Sequence, residues 1–561
     1  MKGKWLSRIL STIVVGSMTV GLLVGCGQQE SKQTSEKQEV SKEESSQTSL
    51  AEQNSEDVKE PEELTYPLDT DMEVSIWVYS ILNLSPEYAN ASESPFHTGL
   101  AEKTGIDIDW QFPAQGTDAA VALNLLWQEE EMPHIVLGGA VKPDNGTKWL
   151  ADGVIYDLTD YLPEYAPDYW EFINRPENED TLKSLTTADG RFYSIAGFQE
   201  SSYNITYAGP VIRQDWLDEC GLEAPVTLED WENVLVTFKK KYNATFGFAL
   251  NRFNIAGIGS GTGAFAPLKA NYYVDENDKV QLGNAQQEWK ELLEVLHRWY
   301  DMGLIDKDFA TATDASVRSK ALNGEVGVSY TAMSQLTNWS VDAEAEDTGA
   351  EWVGFEHPRT APGEPTNYIY TTRSLFPGSG GAVITTSCSE EELIMALKLL
   401  NYGYTEEGIM YWNFGTEGET YTLDENGDVQ WTELVTGDSG GIDAAVKKYT
   451  GVHSGQVSIQ QERYVKLKNS EAAGDAVYKW IENTVAEKYC LPTLTRTDEE
   501  NTKYADLNTP IATYVSEMAL KFVTGDEDLD DFDEFVEQLN NMGLQECLEL
   551  QQAAYDRYLS K

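Results

Sequence analysis

From Val74 onward the chain alternates between short apolar runs and longer stretches with helical spacing. Val74 to Tyr79 (VSIWVY) has the length and β-branched content of a strand. A helix-compatible stretch follows through Phe96 to Lys103, and Gly105 breaks it. Ile106 to Trp110 (IDIDW) alternates strictly, as a half-buried strand does. Ala119 to Glu130 predicts a further helix, stopped before Pro133, and His134 to Leu137 predicts a third strand closed by Gly138 and Gly139. Strand, helix, strand, helix, strand in close succession predicts βαβ units and a largely parallel sheet. Ligands on such sheets bind beyond the carboxyl ends of the strands, here Tyr79 with its following loop and the Gly138-Gly139 loop.

The later chain continues in the helical period. Thr227 and Asp230 form a start signal before Leu228, Trp231, Val234, Leu235 and Phe238. Trp289, Leu292, Leu293, Leu296 and Trp299 make a second apolar stripe, ended by Gly303. Ser389 and Glu392 open a third, and Leu529, Phe532, Phe535, Val536 and Leu539 a fourth. These stripes predict core. Asn426-Gly427, between Tyr421 and Trp431, predicts a β-hairpin.

The N-terminus changes the picture. Lys2, Lys4 and Arg8 precede an apolar run from Ile9 to Val24, the layout of a secretory signal peptide over residues 1–25. The run is short and broken by small polar residues, which argues against a membrane span. Leu23-Val24-Gly25-Cys26 resembles the bacterial lipobox, which implies lipidation of Cys26 and a membrane anchor on the extracellular face. Residues 26–65 are then a tether of Ser, Gln, Glu and Lys too poor in large apolar side chains to offset the entropy of folding. The roughly 500 residues beyond it exceed what one core usually serves, which predicts two lobes. A formal charge of −54 argues against nucleic acid or an anionic membrane surface as partner. Cys220, Cys388, Cys490 and Cys547 lie far apart without a C-x-x-C pair, so buried free thiols are expected.

Several segments, in order, resemble one family. They are Gly153 to Tyr161 (GVIYDLTDY), Arg191 to Ala196 (RFYSIA, with Ala196 where the family carries Pro), Ile212 to Leu217 (IRQDWL) with Pro225 and Thr227, Trp299 to Phe309 (WYDMGLIDKDF), Leu322 to Gly327 (LNGEVG), and Asn413 to Gly418 (NFGTEG). The chain is similar to the extracellular solute-binding proteins of carbohydrate ABC importers. That resemblance implies an α/β, two-lobed periplasmic-binding-protein-like fold (type II) with a ligand cleft between the lobes. It implies lobe 1 over 70–205 plus 345–400 and lobe 2 over 206–344 plus 401–561. It also implies an oligosaccharide ligand, permease partners and a monomer.

A sugar presents apolar C–H faces and many hydroxyls, so its site needs flat aromatics beside hydrogen-bonding groups. Trp231, Trp289 and Trp299 fall on helical stripes and are set aside as core. The candidates on loops and element ends are Tyr79, Tyr203, Asn204, Tyr330, Trp339, Arg373 and Trp412. Trp412, after Gly408 and before Asn413-Phe414-Gly415, is the expected stacking platform. For each of these, a half-buried structural role is the competing reading. No nucleophile elbow, HExxH or P-loop occurs, and the five histidines are scattered, so no catalytic residue, metal or cofactor is assigned. The calcium-loop insertion of some relatives is missing after Lys241, and Asp526 to Asp530 reads as an acidic helix start. A peptide-binding protein, which Arg373 would suit, and a secreted polysaccharide-degrading enzyme stay open as alternatives. Cys26→Ser should release the protein from the membrane fraction or leave it uncleaved; unchanged lipid labelling of the variant would defeat the lipobox reading.

Overall fold

The computed structural model describes residues 64–79, 91–114, 117–138, 141–249, 272–359, 361–366, 375–376, 380–452 and 457–561. The expected signal peptide, Cys26, most of the expected tether and Arg373 lie outside the described residues.

Two four-stranded sheets organise the fold. Their strands are β1 (Glu73–Val78), β2 (Asp107–Gln111), β3 (Ile135–Leu137), β4 (Ala208–Arg213), β5 (Thr245–Phe248), β6 (Val326–Ala332), β7 (Trp352–Gly354) and β8 (Ala382–Ile384). The first sheet has the order β8-β3-β1-β2, with β1 parallel to β2 and β3 and β8 antiparallel at the edge. The second has the order β7-β4-β6-β5, with β4 antiparallel to both neighbours and β5 parallel to β6.

The central strands of the two sheets are covered on both faces, which is why β1, β3 and β6 are buried almost throughout. In the first, Val74, Ile76, Ile135 and Leu137 pack with Leu158, Phe198, Leu397 and Trp412. Trp77, Val136 and Val383 point to the opposite face, against Leu123, Leu126 and Trp149. In the second, Ile212 and Val328 join Trp231, Trp289, Trp299 and the C-terminal Phe522, Phe532 and Phe535. Val211 and Val326 pack with Trp339, Trp352 and Trp480.

The helix signals act locally. Thr227 and Asp230 form the capping box of helix Leu228–Tyr242, and Ser389 and Glu392 that of Glu390–Asn401. The Asn426-Gly427 turn joins the antiparallel pair Tyr421–Leu423 and Val429–Trp431. The helix expected to reach Glu130 stops at Leu126. Glu129, Glu130 and Glu131 follow it, and like charges there would face the negative end of the helix dipole.

Two of the motifs that carry the family resemblance are staples of the second sheet. Arg213 is buried over the Trp216 ring at 4.2 Å and donates to Asp215 through Nε (2.7 Å) and Nη2 (2.5 Å). Gln214 N donates to Glu351 O at 2.8 Å, which ties this motif to the edge strand β7. In the GLIDKDF motif, Asp306 N donates to Phe246 O at 3.0 Å, while Lys320 bridges Asp306 (2.6 Å) and Asp308 (2.9 Å).

Two segments depart from the expected lobe assignment. β7 lies within 345–400 yet pairs with β4 in the second sheet, because Trp352 is the partner of Arg213 in the register. Tyr402, Tyr404, Tyr411 and Trp412, expected with lobe 2, fill the first core beside Phe96 and Phe198.

His97 gives the first lobe a pH signature. Ser94 caps helix Pro95–Thr104, and its Oγ lies 2.5 Å from His97 Nδ1. The ring stands edge-on to Trp110 at 4.4 Å, and its Nε2 has no hydrogen-bond partner among the described residues. Burial pushes the imidazole down to about 4. An unfolded histidine titrates near ~6.5, so on acidification the unfolded chain takes up this proton first. The contribution is full above that pH and is lost as pH falls toward about 4, roughly 3 kcal/mol in all. Urea melts at pH 7 and pH 4 should show the stability of wild type relative to His97→Leu falling by that amount; parallel pH profiles would refute it.

Candidate functional site

The chain passes between the sheets at a two-residue parallel pairing, Phe198–Gln199 with Ile459–Gln460. Phe198 N donates to Ser458 O and Glu200 N to Gln460 O, each at 3.0 Å. Asn413 is buried beneath this pair; its Nδ2 donates to Ile459 O and its Oδ1 accepts from Gln461 N, both at 2.9 Å.

A compact aromatic and charged cluster flanks the crossover. The rings of Tyr203 and Tyr478 lie 5.0 Å apart, with Lys466 Nζ 5.2 and 5.1 Å from their centres. Glu462 accepts from Lys466 (2.6 Å), Ser201 Oγ (2.8 Å) and Tyr478 OH (3.0 Å). Burial pushes the Glu462 carboxyl up, but the bonds from Lys466, Ser201 and Tyr478 outweigh it and hold the group below the usual range. Tyr478 stays exposed. An open aromatic beside a fixed carboxylate and ammonium offers an apolar face together with an acceptor and a donor, the combination a polyhydroxylated ligand requires.

The candidates named from sequence are distributed unevenly. Tyr79 lies half-buried at the carboxyl end of β1, its N–H donating to Leu137 O at 2.8 Å beside Gly138, whose φ is 122°. Tyr203 and Asn204 come together at the crossover, but their polar atoms are committed: Tyr203 OH to Gly474 O (3.3 Å) and Asn204 Nδ2 to Gln460 O (2.6 Å). Tyr330 does not follow its strand. β6 runs through it, leaving it 2% exposed with its ring 6.3 Å from that of His357. Trp339 sits within helix Met333–Ala345, 1% exposed and edge-on to Trp352 at 4.9 Å.

Trp412 likewise belongs to a core. It lies within helix Glu406–Phe414, 3% exposed, with its ring 5.0 Å from Phe96. A Cβ at Gly451 would fall 2.2 Å from the indole Cε3, so the backbone there is pressed onto the ring. Gly408 is not a break. It lies inside the helix, where a Cβ would fall 1.7 Å from Tyr402 O and only glycine fits. Conversely, Tyr478, Glu462 and Lys466 were not foreseen. The available signal is that Tyr478 falls off the apolar stripe Ala473, Ala476, Val477 and Trp480 of its helix.

Elsewhere, two open cavities of about 330 and 480 Å³ share Tyr411 and Lys103, beside helices Pro95–Thr104 and Glu406–Phe414. Lys103 is engaged there with Glu407 at 2.6 Å. Among the described residues, no group of three His, Cys, Asp or Glu could hold a metal ion. Cys388, Cys490 and Cys547 are buried and Cys220 half-buried, with no disulfide among the four.

Two α/β sheets, each with its own core and joined through a short crossover, define the two-lobed binding-protein fold. The chain belongs to the family of bacterial extracellular solute-binding proteins, whose sequence profile it matches over residues 86–410. It is 24% identical to the fructooligosaccharide ABC transporter substrate-binding protein FusA of Streptococcus pneumoniae, across 89% of this chain and 92% of that one. It is 26% identical to Lipoprotein LipO of Bacillus subtilis, across 61% of this chain and 66% of that one. Its fold matches the crystal structure of FusA in complex with kestose (TM-score 0.68, 19% identity, 87% and 99% of the two chains). It also matches the alginate-binding protein AlgQ2 (TM-score 0.67, 20% identity, 88% and 99%).

Trp412→Ala should lower stability by about 3–5 kcal/mol, the usual loss on emptying a buried tryptophan site. Urea denaturation measures it, and a loss below about 1 kcal/mol would show that the ring is not part of the first core.

Proposed function

We propose that this protein is the substrate-binding lipoprotein of an ABC importer that captures an extracellular oligosaccharide in the cleft between its lobes and delivers it to the permease. The observation that carries this reading is the crossover cluster of Tyr203, Tyr478, Glu462 and Lys466, set where the two lobes meet. Its aromatic and polar composition suits a sugar, and FusA and AlgQ2, which share the fold, are described as kestose-bound and alginate-binding. LipO, a lipoprotein relative, supports the Leu23-Val24-Gly25-Cys26 box as a lipid attachment site holding the receptor at the outer face of the membrane. The reading includes a monomer without hydrolytic activity, in line with relatives described as binding proteins.

A thermal-shift screen against neutral and uronic-acid oligosaccharides tests it. A true ligand at a hundred times its dissociation constant adds about 2.7 kcal/mol of stability. Tyr478→Ala should weaken that ligand several-fold while leaving the melting of the free protein near wild type. Shifts with peptides and none with any saccharide would overturn the reading, as would new reducing ends released from polysaccharide by the purified protein.

A further inference from the structure

The crossover is not the sole bridge between the lobes. Arg496, carried by the segment that leads into helix Asp498–Thr524 of the second lobe, reaches Asp144 in the first-lobe helix Pro143–Asp152. Its Nη1 donates to both carboxylate oxygens, at 3.2 and 2.9 Å. Its Nη2 donates to Gln551 Oε1 at 2.5 Å, and the guanidinium stacks over Tyr504 at 3.9 Å. Arg557 fixes this segment from behind, donating to Thr495 O at 2.9 Å and to Glu500 at 2.7 Å. Two more contacts come from the C-terminal helix Leu544–Ser560 and the residue after it. Tyr558 OH donates to Asp180 Oδ1 at 2.9 Å. Lys561 Nζ donates to Lys183 O (3.1 Å), Thr186 Oγ1 (2.9 Å), Thr186 O (3.3 Å) and Thr187 O (3.3 Å).

We infer that these contacts form a clasp: the Arg496, Tyr558 and Lys561 side chains of the second lobe grip the Asp144 and Asp180–Thr187 region of the first and bias the ligand-free protein toward the arrangement in which these surfaces touch.

Position and energetics both support a reversible grip. Helix Pro143–Asp152 starts just beyond the carboxyl end of β3, so Asp144 stands on the ligand side of the first sheet. The named contacts are hydrogen bonds and an ion pair, which water can replace one for one when the lobes part. The Arg496 side chain is 7% exposed and its Nε has no hydrogen-bond partner among the described residues, while the Asp144 side chain keeps 35% exposure. Burial pushes the Asp144 carboxyl up in spite of the neighbouring guanidinium. Desolvation therefore offsets much of the attraction, as is general for buried pairs. Such a contact leaves the open and closed states close in free energy, and a ligand touching both lobes can shift a balance of that kind.

Small-angle scattering of the protein without added ligand tests the clasp. Asp144→Asn removes the charge partner of Arg496, and Tyr558→Phe removes a single hydroxyl. Each should raise the radius of gyration above the wild-type value, which is roughly 23 Å for a compact body of this size. Lys103→Ala, which breaks the exposed Lys103–Glu407 pair, should scatter as wild type. Urea melts run alongside establish that each variant is folded. Folded Asp144→Asn and Tyr558→Phe proteins with wild-type scattering would overturn the clasp, as would an equal expansion in Lys103→Ala; should Asp144→Asn fail to fold, Tyr558→Phe decides.

Discussion

Asn413 is buried and uses its side-chain amide as a surrogate backbone, donating to Ile459 O and accepting from Gln461 N. Those bonds hold one strand of the crossover in register, and Phe198 and Glu200 supply the bonds to the other. The pairing is two residues long, so it fixes the line along which the lobes meet without welding them together. A buried amide of this kind must be fully satisfied, and here both ends are. Tyr203, Asn204 and the Glu462–Lys466–Tyr478 cluster all take their places from that line.

Each lobe keeps its own hydrophobic core. The first sheet is closed by Trp77, Val136 and Trp149 on one face and by Phe96, Phe198 and Trp412 on the other. The second collects helices from far along the chain, which is how Phe522 and Phe535 come to lie with Ile212 and Val328. Separate cores let each lobe move as a body, and polar contacts between them can exchange with water at little net cost.

The motifs of the family resemblance serve the architecture. Arg213 and Asp215 of the IRQDWL segment anchor the edge strand β7, Asp306 and Lys320 fasten the GLIDKDF turn to β5, and Asn413 of NFGTEG holds the crossover. They made the fold readable because fastening a turn or a strand edge requires particular side chains at fixed offsets. For the same reason they said little about the ligand, whose contacts can be drawn from any side chain that reaches the gap.

Much of the local structure was legible from sequence alone. The capping boxes at Thr227 and Ser389, the Asn426-Gly427 hairpin, the alternation of Ile106 to Trp110 and the apolar stripe from Trp289 to Trp299 each depend on residues a few positions apart, and local geometry determines them. The fate of the aromatics was not legible. Trp412 and Tyr478 are both aromatic residues within helices, yet Phe96 and Gly451 cover the first while Glu462 and Lys466 frame the second in the open. Trp339 is buried because Trp352 arrives on β7, a strand whose sheet could not be read from its own three residues. The sequence by itself determined the family through the order of its motifs, the alternation of strands and helices through periodicity and short-range offsets, and the expectation of two lobes through the length of the chain. Only the tertiary structure decided which rings are core and which stand at the crossover, because burial is set by which other segments the fold brings against each ring.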